Sequence, residues 1–237
     1  MTSKLIEAQI AMRKLRRYMR KYGRHYTDTC REYINENFLE YLDCPTAPDV
    51  LMQIYESVGC GVREGNFYNA HFHRIQNMYG LDRNILEIGG GMMPAFAQKV
   101  ATAQAETKKG TITVYDPDLI ITKPGFKNLT LYKEEFSTEH DIHSYDLVMG
   151  LLPCDATEAI ITSACRAQKE FYVAMCGCTH FDFYDPFGYY TPRMYQNYVI
   201  ELAQDLLKDT DNGELMIDYL PEEYGIDYPI LYNRKKW

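Results

Sequence analysis

Asn84-Ile85-Leu86-Glu87-Ile88-Gly89-Gly90-Gly91-Met92-Met93-Pro94 decides how the rest of the chain is read. Ile85, Leu86 and Ile88 form a short apolar run of the kind a buried strand needs. Three glycines end it, and Met93-Pro94 open an alanine-rich stretch, 95–106, that reads as a helix. Proline costs little in a first helical turn, because its missing donor would be unpaired there anyway. Glycines let the backbone turn sharply and approach a ligand, and a helix start offers free N–H groups. Strand, glycine turn and helix start together predict a ligand cradle.

Working downstream, 111–115 alternates and is rich in β-branched residues, as a strand should be. It ends in Asp116-Pro117-Asp118, one helix beyond the glycine turn. A carboxylate there suits a ribose, since it accepts from both hydroxyls, with Asp116 preferred to Asp118. A turn-forming Asp-Pro is the structural alternative. Strands follow at 129–132, 145–152 and 170–176, the middle one apolar on both faces like a central parallel strand. Asp155-Ala156-Thr157-Glu158 has capping-box spacing and predicts that Asp155 caps a helix running to about 167. The connections 119–128 and 137–144 are short for crossover helices. A helix over 191–208 starts at Pro192 and presents Tyr195, Val199, Leu202 and Leu206 on one face. Strands at 215–220 and 228–233 close the count at seven.

A dinucleotide fingerprint, G-x-G-x-x-G, fails because its third glycine falls on Pro94. Glu87-Ile88-Gly89-Gly90-Gly91 instead resembles the acid-x-Gly-x-Gly motif of the class I S-adenosylmethionine (SAM) dependent methyltransferases. The frequent third glycine of that motif is Met93 here. An antiparallel pair after the fifth strand is also how that fold ends, and the resemblance covers 84 to about 235. It implies an α/β protein with a seven-stranded, mostly parallel sheet and helices on both faces, plus an N-terminal helical extension. It implies SAM as cofactor, held by Glu87, Gly89, Gly90, Gly91 and Asp116. It also implies an adenine contact after the third strand, from Glu134 and Phe136. The motifs do not name an acceptor; a small molecule is expected. Gly89-x-Gly91-x-x-Pro94 also resembles nicotianamine-synthase-like enzymes, which transfer the aminocarboxypropyl group of SAM. A non-catalytic interaction module keeping the fold is the reading from another class.

Catalytic residues are less legible. His180, Asp182 and Asp185 are the best-placed bases beyond the fifth strand. They open an aromatic stretch, Phe181 to Tyr198, that reads equally as an acceptor wall or as packing. Pro153-Cys154 resembles the nucleophile pair of pyrimidine C5 methyltransferases, whose other motifs are absent; a buried, inert cysteine is preferred. His71 and His73 do not share a helical face, which argues against a metal site.

Upstream, residues 1–80 read as helical throughout, with a boundary near Gly80 separating a helical subdomain or lid, 1–80, from a SAM-binding domain, 81–237. Residues 1–25 carry eight Lys and Arg against Glu7 alone, a net of +7 in a chain of net charge −8. The remainder is therefore strongly acidic, which disfavours a broad nucleic-acid surface. Leu5, Ala8, Met12, Leu15 and Met19 make one helical face. Docking of that face on the domain or on a second copy is preferred to RNA binding by its basic side, which stays open. Seven cysteines without a regular framework, no signal-peptide pattern and no long apolar run lead to the expectation of a cytoplasmic protein that engages no membrane.

Overall fold

The computed structural model describes residues 66–91, 94–119, 125–176, 192–208, 210–220 and 228–234. The helices expected over 1–57, the aromatic stretch 181–190, and His180, Asp182 and Asp185 lie outside the described residues.

The described residues open with helix α1, Asn66–Tyr79, and continue through strand β1, Asn84–Ile88, and helix α2, Ala95–Thr107. Strands β2, Thr111–Tyr115, β3, Leu129–Tyr132, and β4, Leu147–Leu151, follow. A 3-10 turn at Cys154–Ala156 leads into helix α3, Thr157–Arg166, and strand β5, Glu170–Ala174. Helix α4, Pro192–Lys208, and the hairpin strands β6, Glu214–Tyr219, and β7, Pro229–Arg234, complete them.

All seven strands form one sheet in the order β3-β2-β1-β4-β5-β7-β6. The first five pair in parallel, and β7 runs antiparallel to both β5 and β6. This is the α/β architecture expected above. Between β3 and β4 the described chain forms turns and no crossover helix, consistent with the short connections. Residues two apart share a sheet face, so Ile85 joins the core under α1 and α2 while Leu86 and Ile88 join the core under α3 and α4.

Helix α1 is part of the first core. Phe67, Tyr68, Phe72 and Ile75 fall at helical spacing and pack with Ile85, Val114 and Tyr172. His71 is fully buried among them and shares a 2.6 Å hydrogen bond with the Tyr172 hydroxyl. Helix α1 thus packs into the same core as the sheet. Asn233 locks the antiparallel end: its Oδ1 accepts from the Phe171 N–H at 2.6 Å, and its Nδ2 donates to the Asn212 carbonyl at 2.8 Å.

Two local expectations need correction. Asp155 does not cap α3; it sits inside the 3-10 turn, and Ala156 occupies the N-cap without a side-chain bond. The Thr157 hydroxyl donates to the Cys154 carbonyl at 2.8 Å and ties the turn to the helix. The buried stripe of α4 is Tyr195, Val199, Ala203 and Leu207, with Leu202 and Leu206 half-buried beside it. Small Ala203 takes the central line, which lets the helix approach α3 and β6.

Candidate functional site

The chain runs outward from β1 to β3, then returns to place β4 on the other side of β1. Such a reversal leaves a crevice at the carboxyl ends of the strands, where open α/β sheets bind ligands. A cavity of about 400 Å³ lies there, between the glycine turn, the segment after β2 and the turn after β4. Larger grooves, of about 810 and 630 Å³, sit at the α4–β6 junction and between α1 and the hairpin. Neither contains the glycine turn or Asp116.

Gly89 and Gly91 both have positive φ, +74° and +75°. At Gly89 the demand is double: a Cβ would also lie 2.9 Å from the Cα of Pro153. The turn and the β4 end are therefore in backbone contact, and any side chain at Gly89 would push them apart. The Gly89 N–H donates to the Tyr115 carbonyl at 2.9 Å, fixing the turn to β2.

Asp116 is held by that frame. Its Oδ2 accepts from the Gly91 N–H and its Oδ1 from the Asp118 N–H, both at 2.7 Å. The residue is only 8% exposed, yet it lines the cavity. A carboxylate presents two acceptor oxygens, and this one lines the cavity. Two acceptors spaced as a carboxylate presents them match a vicinal diol.

The wall beyond Asp116 is aromatic. Phe136 lines the cavity, stacks on His140 with centroids 5.1 Å apart, and meets Tyr115 edge-on at 5.7 Å. Ser137 holds the ring at Nδ1, its N–H 3.0 Å and its carbonyl oxygen 3.1 Å away, and Nε2 lies on the ring's other side. Glu134 is turned outward, 3.9 Å from that Nε2, and Glu135 lines the cavity in its place.

The opposite wall is the turn after β4. Leu152 and Cys154 hold positive φ, 56° and 48°, on either side of Pro153. Left-handed non-glycine residues each cost roughly 1–2 kcal/mol, and both occur in this one wall. Cys154 is half-buried and lines the cavity, a correction to the buried cysteine expected from sequence. Cys165 fits that description instead: burial pushes its thiol up to about 12.

Glu87 and Gly90 lie behind the surface. Glu87 is 2% exposed, and burial first, with Asp116 second, pushes its carboxyl up to about 8. Gly90 packs close to both Glu87 and Val114; a Cβ there would lie 2.7 Å from the Val114 methyl. Among the described residues the lining reaches Gly91 and includes none of α2, so the backbone of the turn faces the cavity. Of the expected site residues, Gly89, Gly91, Asp116 and Phe136 meet at the cavity, Glu87 and Gly90 support it, and Glu134 stands off. Tyr115, Glu135 and the Leu152–Ala156 turn had not been singled out for cofactor contact. Among the described residues no three His, Cys, Asp or Glu side chains converge as a metal site requires, and no helix is long and apolar enough to cross a membrane.

No family model matches the chain, and no curated protein matches it. Among solved structures it is similar to precorrin-6y C5,15-methyltransferase from Geobacter metallireducens, with 14% identity, 75% of this chain and 93% of that one covered, and a TM-score of 0.45. It is also similar to human N-acetylserotonin methyltransferase in complex with SAM, at 12% identity, 85% and 59% coverage, and a TM-score of 0.44. The citrinin polyketide synthase CMeT domain aligns at 9% identity, 80% and 57% coverage, and a TM-score of 0.49. The fold assignment is carried by the strand order and pairing, not by these likenesses.

Proposed function

We propose that the cavity binds S-adenosylmethionine and that the protein transfers its methyl group to a small-molecule acceptor. The observation that carries this reading is Asp116, a carboxylate oriented by two backbone N–H groups and facing the cavity at the point where strand order reverses. The residues fit the cofactor. Asp116 would accept from the two ribose hydroxyls. Phe136 and Tyr115 offer an apolar wall for the base, and the turn through Gly89 and Gly91 lets the backbone close on the remainder. The volume lies within the range of small-ligand pockets, roughly 300–1,000 Å³. When bound, SAM supplies a methyl group already activated by its sulfonium.

The protein's own part is to position and to exclude water. Orienting a donor and an acceptor removes much of the entropic barrier of a bimolecular step. Asp116 fixes the nucleoside end of the donor. The strained Leu152–Cys154 turn sets the wall against which the other end is placed. An acceptor that needs deprotonation requires a base, for which His180, Asp182 and Asp185 remain the proposal from sequence.

Turnover with a cell extract and SAM, read by mass spectrometry, tests this. S-adenosylhomocysteine is the product expected from methyl transfer. Methylthioadenosine would instead indicate aminocarboxypropyl transfer, and neither product across several extracts would favour the interaction-module reading.

A further inference from the structure

Glu87 occupies the fourth position of β1, on the sheet face shared with Ile85. Its register partners are Val114 on β2 and Met149 on β4. It is 2% exposed, and its Oε2 has no hydrogen-bond partner among the described residues. A carboxylate buried this way ordinarily has a cation, as Glu170 has Arg83 at 2.7 Å. Among the described residues, three basic side chains on the helices over this face are engaged elsewhere. His71 bonds Tyr172, Arg74 pairs with Asp218 at 2.5 Å, and Lys99 bonds Asn69. The charge that does act on Glu87 is Asp116, a second carboxylate.

The placement has a consequence for ligand charge. Gly90 covers Glu87, with its Cβ position 3.7 Å from the Glu87 carboxyl carbon, while Gly89 and Gly91 on either side of Gly90 line the cavity. One residue of backbone therefore separates an unpaired buried acid from the ligand space. Asp116 faces that space and also acts on Glu87. Two like charges this close do not both ionise readily, so the buried one keeps its proton. A positive charge entering the cavity reverses the balance.

We propose that Glu87 is a charge-sensing residue of the cofactor cavity: it releases its proton to solvent when a cationic ligand enters, and so makes the cavity favour the sulfonium of SAM over the neutral thioether of S-adenosylhomocysteine. This rests on the reading that the cavity takes SAM. No covalent bond of the ligand changes; the proton passes from the Glu87 carboxyl to the buffer. Glu87 acts through its field, so it is a specificity-determining residue and not a catalytic one. Below its titration range the acid is neutral with either ligand and cannot discriminate. As pH rises, the anion forms more readily beside the sulfonium, and the preference for SAM grows.

Titration calorimetry of the full chain with SAM and with S-adenosylhomocysteine, at pH 7.5 in two buffers of different ionisation enthalpy, counts the protons released. SAM is expected to release about half a proton more than S-adenosylhomocysteine. The ratio of the two affinities should rise about tenfold from pH 6 to pH 9, the change that one pK unit of coupling produces. Glu87→Gln should remove both effects while S-adenosylhomocysteine still binds; Glu87→Met serves in its place if the glutamine variant does not fold. Equal proton release by the two ligands, or a difference that persists in these variants, overturns the inference. Failure of the wild-type protein to bind either ligand overturns the cofactor reading itself.

Discussion

Replacing Asp116 by alanine removes the carboxylate from the cavity. In the structure each oxygen takes one backbone N–H at 2.7 Å, and the side chain lines the cavity. If each oxygen also takes a ribose hydroxyl, two hydrogen bonds to a charged group are lost, each worth about 1.5–3 kcal/mol. The dissociation constant then rises by roughly 10² to 10⁴. Ligand at a hundred times its wild-type dissociation constant stabilises the wild type by about 2.7 kcal/mol. For a chain of this size that raises the melting temperature by about 5–11 °C. The same concentration would stabilise Asp116→Ala by about 0.4 kcal/mol or less, a shift near 1 °C. Differential scanning fluorimetry with and without S-adenosylhomocysteine reads both values, each against its own ligand-free midpoint. Asp116→Asn should resemble the alanine variant, because its amide nitrogen must face one of the two N–H donors. An Asp116→Ala protein with the full wild-type shift would refute the placement of the ribose.

Gly89→Ala should cost about 2–4 kcal/mol, combining a left-handed φ with a 2.9 Å approach to the Pro153 backbone; a loss under 1 kcal/mol in a urea titration would mean the turn is looser than drawn. Asn233→Leu leaves the Phe171 N–H and the Asn212 carbonyl without partners inside the core, so the urea midpoint should fall by the equivalent of about 2–5 kcal/mol, and an unchanged midpoint would contradict it. Glu87 keeps its proton in the fold up to about pH 8, whereas the unfolded chain loses it near the ordinary carboxyl value. Stability should therefore fall as pH rises from 6.5 to 8, by roughly 1.4 kcal/mol per pH unit, and level off beyond. Glu87→Gln should lack that slope; below pH 6.5 the buried neutral His71, whose burial lowers it to about 3, contributes a slope of opposite sign.

The sheet was legible because its strands carry their own signal. Residues 84–88, 111–115, 129–132 and 147–151 are short apolar or alternating runs bounded by turns, and the structure makes strands of all four. Asp116 was legible because a strand end fixes the residue that follows it. What failed depended on packing or on irregular backbone. Leu202 was preferred to Ala203 on the last helix because hydrophobicity favours the larger side chain, while close helix approach favours the smaller. Asp155 has cap spacing, but a 3-10 turn starting at Cys154 moves the helix start one residue on. Past Tyr132 no period says which of Glu134 and Glu135 faces inward. The Leu152–Cys154 turn was hidden because left-handed φ normally announces itself by glycine or asparagine, and neither stands there.

The claim that the cavity is a cofactor site is tested most directly by a crystal structure grown with saturating S-adenosylhomocysteine. The ligand is expected between the Gly89–Gly91 turn and Phe136, with both ribose hydroxyls within hydrogen-bond distance of the Asp116 carboxylate. A ligand seated in the α4–β6 groove, or a vacant cavity in crystals of protein that binds the ligand in solution, would contradict it.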